Sequence, residues 1–253
     1  MRRTSVFAIT AVLLPASFTL GACSSSSSAG ATAAASASSS STASPAAASP
    51  TPTAPAQSAS AGPPLTGTQL KSYLAPAGDF PDGYTSTPQE TQDTGDAYEP
   101  QSISPPPTPT CALFDTNGII TVTGYNPVSF AQGDYRSASD GGEYAQEIDV
   151  FQGTAAQDLM TALAAAARAC STYPDSETST TATVTQTTTF IGGYTALVFT
   201  TSDPQWKAGL TIEAVRIGNT VVTVMVSNGE SDDGGPEATN LAATIVANLT
   251  AKS

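Results

Sequence analysis

Two spacings of apolar residues alternate along the chain from Leu65 onward, and each marks a different kind of element. Leu159, Leu163, Ala166 and Cys170 recur every three to four positions, so they share one face of a helix that runs to about Ala169. Thr154-Ala155-Ala156-Gln157 precedes it in the order of a capping box, where hydroxyl and amide satisfy reciprocal backbone N–H groups. A second helix opens at Pro236, a position where a missing N–H costs nothing. Its stripe is Ala238, Leu241, Ala242, Ile245 and Leu249, and Asp232 and Asp233 stand just before it, where negative charge suits the helix dipole. A short helix over 69–74, capped by Thr66 or Thr68, stops before Pro76 and Gly78.

Period-two alternation marks strands. In 144–152, Ile148 and Val150 take one face while Glu147, Asp149 and Phe151 take the other. Ile119, Ile120 and Val122 make 118–124 strand-like, and Ala196, Leu197, Val198 and Phe199 make 194–200 a buried-type strand. Segments 210–217 and 220–227 flank Gly218-Asn219, and glycine at the first central position suits a type II′ hairpin turn. The segment 178–190 is nearly all Thr, which reads as an edge strand or an extended loop. Phe80-Pro81-Asp82-Gly83-Tyr84 is a turn, and 89–109 is a polar, proline-rich loop. The expected fold is α+β, a twisted antiparallel β-sheet packed against a few helices, with the helices on one side.

The residues before Leu65 follow another logic. Arg2 and Arg3 precede a short apolar run, 6–20, broken by Pro15. A spanning helix needs about 20 uninterrupted apolar residues, so an export signal over 1–22 is the better reading. Leu20-Gly21-Ala22-Cys23 resembles the lipobox of bacterial lipoproteins. The resemblance implies that Cys23 carries a diacylglycerol and becomes the first residue after cleavage, and two acyl chains suffice for stable anchoring. The segment 24–64 holds only Ser, Ala, Thr, Pro, Gly and Gln57. It has too little apolar surface to offset the entropy of ordering, so 23–64 is expected to be lipidated cysteine plus disordered linker, spanning roughly 35 Å. The remainder, 65–253, is expected to be one domain.

Composition then narrows the classes. Removal of 1–22 leaves six Lys and Arg against 21 Asp and Glu, a balance of −15. No basic footprint for nucleic acid exists, and electrostatic adhesion to anionic lipid is excluded, so contact with the membrane falls to the lipid anchor. Low Lys with high Ala, Gly, Thr and Pro suits a GC-rich genome such as an actinobacterium's. Cys111 and Cys170 form an even pair in an oxidising compartment and are expected to be disulfide-bonded.

The early helix leading to Phe80-Pro81-Asp82-Gly83-Tyr84, then Cys111, then the strand 144–151 feeding a helix that ends in Cys170, form a recognisable series. With the hairpin at Gly218-Asn219 and the terminal helix, it resembles the extracellular sensor domain of PknH-type actinobacterial Ser/Thr kinases, a domain also found alone in lipoproteins. The resemblance covers 65–249 and implies a twisted antiparallel sheet, a cleft and an undefined ligand. The chain departs from it in having no kinase domain and one cysteine pair where the kinase sensor has more.

Chemistry-bearing residues are few. The count of His is 0, which removes Ser-His-Asp, Cys-His and His-based zinc chemistry. Lys71, Lys207 and Lys252 lie in no Ser-Lys motif. Glu147 and Asp149 could form a glycosidase-like pair, but such alternation is also how a solvated strand face reads, and that is the expectation. Asn228-Gly229-Glu230-Ser231-Asp232-Asp233-Gly234 alternates oxygen ligands like a calcium loop, yet Asp233 and Thr239 occupy the positions where an EF-hand has Gly and Glu. Trp206 is expected to pack at the core or rim, with a stacking surface as the alternative. No catalytic, metal or cofactor residue is therefore assigned. The expected role is a noncatalytic, sensor-like domain on the extracytoplasmic face, binding a small ligand or an envelope protein. A cell-envelope interaction protein without a small-molecule site and an atypical hydrolase are the alternatives.

Overall fold

The computed structural model describes residues 63–115, 120, 123–175, 178–206, 209–227 and 234–251. Three α-helices are described: α1 (Gly67–Lys71), α2 (Ala155–Ala169) and α3 (Gly235–Ala251). The strands are β1 (Tyr84–Ser86), β2 (Gln92–Asp93), β3 (Ser102–Ile103), β4 (Tyr125–Asn126), β5 (Ser129–Ser137) and β6 (Glu143–Val150), followed by β7 (Thr172–Pro174), β8 (Thr181–Ile191), β9 (Tyr194–Ser202), β10 (Leu210–Ile217) and β11 (Thr220–Ser227). A nine-stranded sheet runs β1-β5-β6-β11-β10-β9-β8-β7, with β2 also on β5, and β3 pairs β4 apart from it. Every pairing is antiparallel, so the fold is α+β as expected.

Helices cover both faces of the sheet, not one. Leu159, Leu163 and Ala166 of α2 pack with Ala145, Phe199, Ile212 and Met225 on one face. Leu241, Ala242 and Ile245 of α3, with Leu70 of α1, pack with Ile148, Val215, Val222 and Val224 on the other. The central strands show why. Val221, Val222, Val224, Met225 and Val226 are all buried, so β11 is apolar on both sides and needs two covering layers. Each Leu of α2 that reaches full burial contributes about 1.5–3 kcal/mol.

Local chemistry accounts for the element ends. Thr66 caps α1: its hydroxyl accepts from the Gln69 N–H at 3.4 Å, and the Gln69 side chain accepts from the Thr66 N–H at 2.9 Å. The capping box expected at Thr154 does not form. Thr154 has helical backbone angles (φ −93°, ψ 0°), and its hydroxyl donates to Asp158 Oδ2 at 2.8 Å instead. The strand expected over 118–124 is also absent where it is described: Ile120 is helical and Thr123-Gly124 form a turn. The Thr123 N–H donates to the Ile120 carbonyl, as does its hydroxyl, which fixes that turn. The hairpin at Gly218-Asn219 forms in the expected register, with Ile217 opposite Thr220. Gly218 has φ +58° and Asn219 does not enter the left-handed region, as a type II′ turn requires.

Candidate functional site

The carboxylates of β6 come first, because they are the acid pair that the alternation of 144–152 sets on one face. Glu147 lies opposite Thr223 of β11 and Gln132 of β5, while Asp149 lies opposite Val221 and Phe130. Both face the α2 side, and both are buried, with 6 % and 0 % exposure. The solvated-face reading is therefore wrong for both residues. The reason is that both faces of β6 are covered: Ala145 and Phe151 belong to the core on one side, and Ile148 and Val150 to the core on the other. Both residues take part in interactions within the fold, and neither lines either of the two hollows described below.

Four further acids are buried that the sequence did not single out, Asp134, Asp175, Asp203 and Glu213. Glu213 of β10 is fully buried on the α3 side, where its Oε2 accepts from the Thr239 hydroxyl at 2.9 Å. Burial pushes its carboxyl above the ordinary Glu range, against the pull of that hydrogen bond. The one signal was its place as a lone acid in the apolar run from Leu210 to Ile217. Asp203 accepts from the hydroxyls of Thr178 and Thr180 and, at 2.7 Å, from the Gln205 N–H. Burial alone would raise its carboxyl, but these donors hold it below the ordinary Asp range. The Asp203 turn carries Trp206, which is half-buried against the α2-side core and lies before β10.

Cys111 and Cys170 are joined in a disulfide with a Cα–Cα distance of 5.4 Å. Burial of the Leu163 and Ala166 face carries Cys170 inward to 1 % exposure, and the 3₁₀ turn Cys111–Asp115 brings its partner. The same turn presents Asp115 to the Tyr173 hydroxyl, and burial together with that acid raises the phenol.

Two shallow hollows lie among the described residues. One of about 270 Å³ is lined by Pro64, Leu65, Val150, Phe151, Gln152 and Asn219. The other, of about 280 Å³, lies between the turn at Asp79 and Pro81 and the Glu237, Asn240 and Leu241 side of α3. Enclosed ligand pockets run from about 300 to 1,000 Å³.

The long polar surface is an edge. β7 pairs with β8 only from Thr181 to Thr183, and no other described strand covers the rest of β8. The Val184 N–H points away from β9 and donates to the Ser171 carbonyl at 3.0 Å. Antiparallel pairing alternates outward and inward amides, so the N–H and C=O of Gln186, Thr188 and Phe190 also point away from β9. Phe190 is 66 % exposed.

Cys23, the segment 1–62, Lys207, Lys252 and the calcium-like stretch 228–233 lie outside the described residues. Lys71 pairs with Asp93 at 3.1 Å on the surface. Among the described residues no group of three or more His, Cys, Asp and Glu could hold a metal ion, and no helix is long and apolar enough to cross a membrane.

No family model matches the chain, and no curated protein matches it. The extracellular domain of PknH from Mycobacterium tuberculosis is similar in structure, with a TM-score of 0.49 at 12 % identity over 75 % of this chain and 98 % of that one.

Proposed function

We propose that this chain is a lipid-anchored protein of the extracytoplasmic face whose folded domain is a noncatalytic binding module for a macromolecular partner. The anchor rests on Arg2-Arg3, the short apolar run and Leu20-Gly21-Ala22-Cys23. The disulfide fits an oxidising compartment. The observation that carries the binding role is the double covering of the sheet. Helices pack on both faces of the sheet, the two hollows described, of about 270 and 280 Å³, fall below the usual ligand-pocket range, and β8 is left with a long open edge. Between the expected small ligand and a protein partner, this geometry favours the protein.

The hydrolase alternative needs two accessible carboxyl groups in different environments. Glu147 and Asp149 are buried on the α2 side of the sheet, which speaks against that use. Two measurements test the proposal. Cys23→Ser is expected to move the protein from the membrane fraction to the medium; a variant that stays membrane-bound refutes the anchor. Native mass spectrometry of the chain purified from its host is expected to show no stoichiometric small molecule; a retained one refutes the macromolecular reading.

A further inference from the structure

We infer that the open edge of β8 pairs with the β8 edge of a second copy of this chain, antiparallel about a two-fold axis near Thr188. This rests on the reading of the domain as a module for a macromolecular partner and names that partner.

Open edges are a hazard that folds usually blunt with Lys, Pro, bulges or short strands. β8 has none of these: it is an 11-residue strand, TATVTQTTTFI, without charge or Pro. Its neighbour β7 stops after three residues. Thr185, Thr187 and Thr188 are exposed, and so is Phe190. A protected edge would not look like this, and an edge meant to be covered would.

Charge favours a second copy. The chain has a formal net charge of −13, so two copies repel over most of their surfaces. Along β8 there is no Asp or Glu, and like charges do not meet there. Backbone geometry points the same way. The outward amides belong to Gln186, Thr188 and Phe190, which are symmetric about Thr188. Setting Thr188 against Thr188 places each Phe190 opposite the other copy's Gln186 and each Thr187 opposite a Thr189. Each pairing keeps residues of one sheet face on one face, as a ladder requires. Up to about six main-chain hydrogen bonds form, and threonines meet across the join. The result is an isologous interface and one sheet continuous through both copies.

The test is a charge swap at the axis, read by native mass spectrometry of the full chain in detergent over a concentration series. The parent is expected to be dimeric at micromolar concentration. Thr188→Lys and Thr188→Glu each set two like charges face to face, and each is expected to weaken self-association by about tenfold or more. Mixing the two variants is expected to restore the dimer. Far-UV circular dichroism matching the parent shows that both variants fold, and Gln186→Lys serves as a second disrupting variant should either Thr188 variant fail to fold. A monomeric parent overturns the proposal, and so does a dimer that persists in both disrupting variants. A monomeric parent that still captures an envelope protein through a Thr188-sensitive contact overturns the second copy but leaves the binding role standing. A monomeric parent that captures nothing overturns both.

Discussion

Glu213 of β10 and Thr239 of α3 are joined across the sheet–helix interface by a 2.9 Å hydrogen bond from the Thr hydroxyl to Oε2. The carboxyl is fully buried, and the burial outweighs this bond, so it holds its proton more tightly than in the unfolded chain. Stability linked to Glu213 is therefore fully present below the ordinary Glu range. It is lost as the pH rises through the raised value of the folded state. Glu213→Gln keeps the acceptor for Thr239 and removes the titration. Its Tm is expected to match the parent's at about pH 4 and to exceed it by about 2–4 °C at about pH 8. A Tm difference that is the same at both pH values would refute the assignment.

The disulfide allows a larger prediction. Cys111 and Cys170 are 59 positions apart, and closing such a loop restricts the unfolded chain by about 4 kcal/mol in the chain-entropy model. The paired Cys111→Ser, Cys170→Ser variant is expected to lose about 8–16 °C of Tm, given about 2–4 °C per kcal/mol for a domain of this size. A nonreducing peptide map of the native chain should link the two. Two free thiols in that map would contradict the pairing.

These two cases divide what a sequence shows from what it hides. Cys170 was legible because the stripe Leu159, Leu163, Ala166 fixes which way the helix end faces. The Gly218-Asn219 hairpin was legible because its turn needs a glycine at one position. Glu147 and Asp149 were not, because alternation looks the same whether the second face meets water or a second helical layer. The missing information was in β11, where Val221, Val222, Val224 and Val226 form a run with no polar face except Thr223. The strand reading of 118–124 failed at its described residues, Ile120, Thr123 and Gly124, for a different reason. Short apolar runs do not separate a strand from one turn of helix, and the Thr123 bonds to Ile120 decide locally. The open edge of β8 was half legible. The Thr-rich composition announced an edge strand or an extended loop, but only the pairing shows that β7 covers β8 no further than Thr183.

Gln146 offers a sharper local test. It sits on the α3 face of β6, and its side chain accepts from the Ala75 N–H at 2.8 Å and donates to the Ala75 carbonyl at 3.0 Å. Both residues are buried, so this amide satisfies two backbone groups that water cannot reach. Gln146→Leu keeps the volume and removes both bonds. It is expected to cost about 2–4 kcal/mol. Hydrogen exchange at Ala75 should accelerate, while the amides of β10 and β11 change only with global stability. Unchanged exchange at Ala75 would mean the tether contributes nothing.

The last prediction concerns catalysis, where the structure alters the meaning of the obvious experiment. If Glu147 and Asp149 were a working acid pair, isosteric amides would abolish turnover and leave the fold intact. Buried in β6, they are expected to do the reverse. Glu147→Gln and Asp149→Asn should shift Tm, because each substitution removes a carboxyl group buried inside the fold. A broad hydrolase screen of the full chain should give no turnover above background, in the parent and in both variants alike. Turnover in the parent that either substitution removes, with Tm unchanged, would make the pair catalytic and replace the binding role with a hydrolase. The double readout matters because loss of activity alone could reflect unfolding, and a stability change alone fits any buried carboxylate.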